Sequence, residues 1–155
     1  MRTTRRGGVR GYDAGKKILG RKRHLLVDTD GLILKVRVHA ADIQDRDGAA
    51  LVLDQLDAPL DRLEHIWADG GYAGPKLQDW MAARFGPRPL RLEIVRRSDT
   101  QKGFAVLPRR WVVERTFGWL HHFRRLSKDY EFLTASSEAF ILIAASRLLL
   151  ARLSR

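Results

Sequence analysis

Two β-prone runs, residues 22–28 and 32–39, stand on either side of Thr29-Asp30-Gly31. Asp-Gly between such runs is a hairpin signal, because both residues tolerate the backbone that a tight reversal needs. The second run alternates. Leu32, Leu34, Val36 and Val38 fall on one face, and Ile33, Lys35, Arg37 and His39 on the other. A sheet face that is apolar throughout has to be covered, so the chain must supply helices to lie on it.

The remaining sequence supplies them. Residues 45–56 place Ala49, Leu53 and Leu56 on one helical stripe, with acids in the first turn where they suit the helix dipole. Residues 63–68 read as a short strand ending in Asp69-Gly70-Gly71, and residues 75–85 as a helix begun by Gly74-Pro75 and stopped by Gly86-Pro87. Residues 90–95 form another short strand, and a loop with Ser98, Asp99, Gln101 and Gly103 leads to a helix over 109–126. A last helix, capped by Ser136 or Ser137, runs to about Leu153. The order β-β-α-β-α-β-α-α is that of an α/β domain, with no internal repeat.

A length of 155 residues suits one domain, and 45% hydrophobic content is enough for its core. The absence of cysteine excludes a disulfide scaffold, a thiolate metal site and a cysteine nucleophile. The net charge of +11 points to a polyanionic partner. It is unevenly spread. Residues 1–24 hold nine Lys/Arg against Asp13, residues 25–69 hold ten acids against four bases, and residues 96–128 hold nine bases against two acids. The first block also has five glycines and no periodicity, so it reads as a basic, backbone-tracking arm, separate from a domain over 25–155. The longest apolar stretch, 139–151, contains Ser146 and Arg147 and is shorter than a bilayer requires.

Two carboxylates are placed for chemistry. Asp69 ends a strand and is followed by glycines that let a substrate approach, which is where open α/β sheets put their ligands. Glu114 shares a helical stripe with Arg110, Gly118, His121 and Arg125, while Val113, Phe117 and Leu120 form an apolar stripe beside it. Each acid alone has an ordinary explanation, a turn for Asp69 and a surface pair with Arg110 for Glu114. Together they offer hard oxygen ligands beside a basic surface, the requirement of phosphoryl transfer assisted by Mg²⁺ or Mn²⁺.

The segments Gly11-Tyr12-Asp13-Ala14-Gly15-Lys16-Lys17, Gly20-Arg21-Lys22-Arg23-His24-Leu25-Leu26-Val27-Asp28-Thr29, residues 42–48, Ala68-Asp69-Gly70-Gly71-Tyr72 and Arg110-Trp111-Val112-Val113-Glu114-Arg115-Thr116-Phe117 occur in that order. In this register the chain resembles the DDE transposases of bacterial insertion sequences, in the group numbered five. The likeness runs from about Gly7 to Leu150. It implies an RNase H-like mixed sheet flanked by helices, whose Asp-Asp-Glu triad holds two divalent metals and cuts and joins DNA strands at element ends. Asp69 matches the second acid of the triad and Glu114 the third. In the family's final signature Arg110 and Glu114 fit, whereas Leu107 stands where a tyrosine is usual and His121 where a lysine is usual.

The family carries its first acid on a strand just upstream of the basic glycine-rich stretch. This sequence starts beyond that point, so the expected fold is an RNase H-like domain truncated at its N-terminus, with open edges on the hairpin and on the strand over 63–68. Asp28 is a weak substitute for the first acid, since the family has an aspartate there besides the triad. The resemblance further implies DNA contacts by Arg21, Lys22, Arg23, Arg110, Arg115, His121, Arg124 and Arg125. It also implies a cytoplasmic, nucleoid-associated protein, homo-oligomeric when active, acting on element ends and target DNA. Completion by an upstream-frame transposase polypeptide is one expectation. The alternatives are an inactive DNA-binding remnant and, less well matched in spacing, a ribonuclease of the same fold.

Overall fold

The computed structural model describes residues 1, 3, 8–56, 62–86, 90–95 and 108–154, the side chains of 108 and 110 excepted. Strands β1 (Gly11–Asp13), β2 (Ile18–Val27) and β3 (Ile33–Ala40) form an antiparallel sheet in that order. Helix α1 (Asp45–Leu53) follows, and strands β4 (His65–Ala68) and β5 (Arg91–Ile94) make a separate parallel pair. Parallel neighbours need a crossover, and α2 (Pro75–Phe85) provides it. Helices α3 (Pro108–His121) and α4 (Thr134–Leu153) complete a mixed α/β architecture consistent with the RNase H-like fold.

The hairpin turn forms where the Asp-Gly signal places it. Asp28 Oδ1 accepts from the backbone N–H of Asp30 at 2.9 Å and of Leu32 at 2.8 Å, and Gly31 adopts φ 82°. Two apolar clusters then bury the two faces of the sheet. Leu26 packs with Ala49, Val52 and Leu53 of α1 and with Leu77 and Met81 of α2. Val36 and Val38 pack with Leu120, Leu126, Ile141 and Ala144 below α3 and α4. The simple alternation expected of β3 breaks once. Leu26 pairs with Lys35 but Val27 with Ile33, so Leu34 is an extra, bulged residue that turns toward the α1 cluster.

Residues 11–24, expected as part of a separate arm, are built into the sheet as β1 and the first part of β2. Gly11 and Gly20 are paired and buried, and a side chain at Gly11 would collide with the Asp42 carboxylate. The C-terminal part also departs from expectation. Helix α3 stops at His121, a 3₁₀ turn takes Arg124–Leu126, and α4 starts before the serines. Ser137 is buried and donates to Asp129 Oδ1 at 2.6 Å instead of capping the helix. The 20 residues of α4 are long and apolar enough to cross a membrane by length and composition, unlike the shorter stretch read from sequence. One face of α4 is committed to the sheet, through Ile141, Ala144 and a 2.8 Å bond from Val38 N to Glu138 Oε1. The loop with Ser98, Asp99, Gln101 and Gly103, and Leu107, lie outside the described residues.

Candidate functional site

Asp69 leaves β4 in extended conformation and caps the 3₁₀ turn Gly70–Tyr72, where its Oδ1 accepts from Gly71 N at 2.8 Å. The carboxylate is exposed at the end of the strand. Glu114 is exposed on α3. Both line one cleft of about 1280 Å³.

The lining of that cleft explains its origin. It includes every residue from 23 to 27 on β2, Asp28 just beyond it, and every residue from 63 to 69 on and around β4. Successive side chains of a strand point to opposite faces, so consecutive residues of two strands can line one space only where it runs along their edges. β2 has β3 on its other side over this stretch, β4 has β5, and β2 and β4 are not paired with each other. Among the described residues, two unpaired edges thus face each other, with Ala49, Val52, Val112 and Phe117 among the apolar walls.

A side-chain bond joins β2 to the turn after β4. The Tyr72 hydroxyl and His24 Nδ1 are 2.8 Å apart, edge to face across ring centroids separated by 5.8 Å. Burial, reinforced by the charges of Asp45 and Asp69, pushes the Tyr72 phenol well above its ordinary range. Burial, with the neighbouring His39, pulls His24 down to about 4. Both groups are therefore neutral near pH 7. Asp45, at the start of α1, comes close to the same turn: a Cβ on Gly71 would stand 3.1 Å from Asp45 Oδ2 and 3.1 Å from Asp69 Oδ1. Glycine at 71 leaves room for a carboxylate on each side. Asp45 and the His24–Tyr72 bond went unassigned in the sequence, although all three residues fall within the family-like segments 20–29, 42–48 and 68–72.

The basic residues divide differently from expectation. Arg21 is 0% exposed. Its guanidinium pairs with Asp129 at 3.3 Å and donates to the carbonyls of Val9, Glu131 and Phe132 at 2.6, 2.9 and 2.6 Å. A group so placed cannot reach phosphate, which corrects its expected DNA contact. Lys22 is held by Asp45 at 3.0 Å and by the Ile43 carbonyl at 2.9 Å, and Arg23 donates to the Leu126 carbonyl at 3.0 Å. Arg21 alone of the three is fully buried; Lys22 and Arg23 are half-buried.

Arg115 lies between Trp111 and Trp119, 5.0 and 4.8 Å from their centroids, and donates to the Asp30 carbonyl at 3.0 Å. Its visible work is to hold the hairpin turn on α3. Arg125 pairs with Glu131 at 2.8 Å and lies over Phe140. His121 and Arg124 are exposed. The side chain of Arg110 lies outside what is described. Asp28 lines the far part of the cleft, but its Oδ1 is engaged by the hairpin turn.

The Transposase DDE domain family matches residues 1–149. The chain belongs to the DDE transposases. A protein assigned as the transposase of insertion sequence element IS402, from Burkholderia cepacia, is 31% identical over 119 residues, covering 72% of this chain and 54% of that relative. The transposase chain therefore spans about half the length of this relative. No solved structure matches it.

The exposed carboxylates Asp69 and Glu114, both lining the cleft, are hard oxygen donors of the kind that suits a divalent cation. Mg²⁺ is usually held by one or two carboxylates with water and substrate phosphate completing its shell. Among the described residues, no group of three or more His, Asp and Glu is gathered to hold a metal. Two carboxylates fit one such ion better than two.

Proposed function

We propose that the chain provides Asp69 and Glu114 to the catalytic centre of an insertion-sequence transposase that cuts and rejoins DNA by metal-dependent phosphoryl transfer. The observation that carries this reading is that both acids, on different elements, line the same cleft. Asp69 and Glu114 would hold Mg²⁺ or Mn²⁺, which supplies Lewis acidity toward the phosphate and lowers the pKa of an attacking water. Asp69 is oriented by the Gly71 N–H, which donates to its Oδ1. The exposed side chains of His121 and Arg124 are left to position phosphates, which sets register on the duplex and not sequence.

The facing edges of β2 and β4 support the further expectation that a transposase segment from upstream completes the site. One extended strand, hydrogen-bonded on both sides, fills the space between two such edges, with strand spacings of about 4.8 Å to each neighbour. A third carboxylate on that strand would account for the ion that two acids hold poorly.

The test is nicking of element-end DNA with Mg²⁺. The chain alone is expected to bind DNA without cutting. Fused to, or mixed with, the upstream segment, it is expected to cut, and Asp69→Asn or Glu114→Gln lowers the rate at least about 100-fold with DNA binding retained. Cleavage that survives Asp69→Asn overturns the site. Binding without cleavage even in the completed protein supports an inactive DNA-binding remnant instead.

A further inference from the structure

The first of the family-like segments, residues 11–17, has no part in the cleft. It forms the end of a two-stranded ribbon, β1 against β2, closed by a turn over 14–17. Asp13 pins the turn by accepting from Lys16 N at 3.1 Å, and its carboxyl lies below the ordinary range chiefly because of that bond. Three features of the ribbon are unexplained by folding alone.

The register partners Tyr12 and Leu19 are 55% and 49% exposed on the same face. A cross-strand aromatic and aliphatic pair normally stabilises a sheet by being covered. Lys16 and Lys17 stand exposed at the tip. Lys17 also has φ 51°, a left-handed conformation that a lysine adopts at a cost and that asparagine or glycine would take more readily. Strain held at an exposed cation is an indication of function.

We infer that this ribbon is a DNA-docking element, lying in a groove of the duplex that flanks the scissile phosphate, with Lys16 and Lys17 on the backbone and Tyr12 and Leu19 toward the groove floor. The major groove, about 12 Å wide, admits a two-stranded ribbon. β2 runs from Ile18 beside the tip to His24, which is bonded to the turn that Asp69 caps. Six residues of strand span about 20 Å. At about 3.4 Å per base pair, the ribbon would meet the duplex about six base pairs from the cleft. The inference rests on the transposase reading for its ligand, and charge and shape choose DNA over other partners.

The test uses the full chain and fluorescence anisotropy with a labelled 30-base-pair element-end duplex across a salt series. The double variant Lys16→Gln/Lys17→Asn removes both charges while asparagine suits the left-handed position, so thermal stability is expected to hold. Loss of two phosphate contacts should lower the slope of log K against log salt by about 2. Tyr12→Ala should weaken binding at least about fivefold with the slope unchanged, as for loss of an aromatic contact. Wild-type affinity and slope in both variants overturn the ribbon inference while leaving the catalytic reading intact. Failure of the unaltered chain to bind duplex at low salt overturns both. If the double variant keeps its DNA affinity but loses binding to phosphatidylserine vesicles, the ribbon is a membrane contact and the inference is wrong.

Discussion

His24 Nδ1 and the Tyr72 hydroxyl, 2.8 Å apart, join β2 to the turn that carries Asp69 across an opening that no backbone hydrogen bond among the described residues closes. The bond is between two neutral groups, because burial keeps the phenol protonated and the imidazole uncharged. Tyr72→Phe removes the hydroxyl and leaves a buried ring nitrogen without its partner. The expected cost is about 1–3 kcal/mol, read by calorimetry as a fall in Tm of roughly 2–4 °C per kcal/mol for a chain this long. An unchanged Tm would mean the bond carries no weight in holding the Asp69 turn.

The same histidine makes stability depend on pH. Its folded pKa of about 4 lies below the ordinary 6.5, so between those values the unfolded chain binds more protons than the folded one. Stability is then fully present above about pH 6.5 and falls as pH drops toward 4, by on the order of 3 kcal/mol if His24 acts alone. His39 is lowered too, chiefly by burial, and pulls in the same direction. Urea unfolding at pH 7.0, 6.0 and 5.0 should show the midpoint moving down. A His24→Gln variant should show a shallower dependence, and an equally steep one would assign the effect to other groups.

Arg21 and Asp129 form a buried pair that joins β2 to the segment before α4, and three carbonyls complete the guanidinium's bonding. Arg21→Met leaves Asp129 buried and unpaired, for an expected loss of about 3–5 kcal/mol. Arg21→Lys keeps the charge but cannot reproduce the planar fork, and should also destabilise. In either variant the salt dependence of DNA binding, measured below the melting temperature, should match the unaltered protein. A smaller slope would show that Arg21 touches phosphate after all.

Local chemistry was legible wherever one residue type dictates one backbone. The Asp-Gly turn is stabilised by Asp28, α2 spans the residues between Gly-Pro and Gly-Pro, and the Val113, Phe117, Leu120 stripe of α3 faces inward, with Leu120 almost wholly buried. The places of Asp69 at a strand end and of Glu114 on a helix were legible because strand ends and helix stripes can be read from spacing. The role of the basic block could not be. Whether Arg21 meets phosphate or Asp129 depends on a contact 108 residues away, and charge counts carry no information about which face of a strand is covered. The bulge at Leu34 is hidden for a similar reason, since only pairing with β2 reveals the extra residue.

Gly48 shows how one small residue is set by such distant packing. It lies inside α1, where replacing glycine by alanine ordinarily stabilises by about 1 kcal/mol. A Cβ here would collide with His24 Nε2 and stand 2.6 Å from His39 Nε2. The two rings are stacked at 4.8 Å, and each is held by its other nitrogen, His24 by Tyr72 and His39 by the Ala40 carbonyl at 2.7 Å. Neither can withdraw without losing a bond. Overpacking costs about 1–3 kcal/mol, so Gly48→Ala is expected to destabilise overall despite its better helix propensity. Adding His39→Ala should free space and recover part of the loss, a coupling that a double-mutant cycle in urea would measure. Strict additivity of the two substitutions would show that the histidines do not set the glycine.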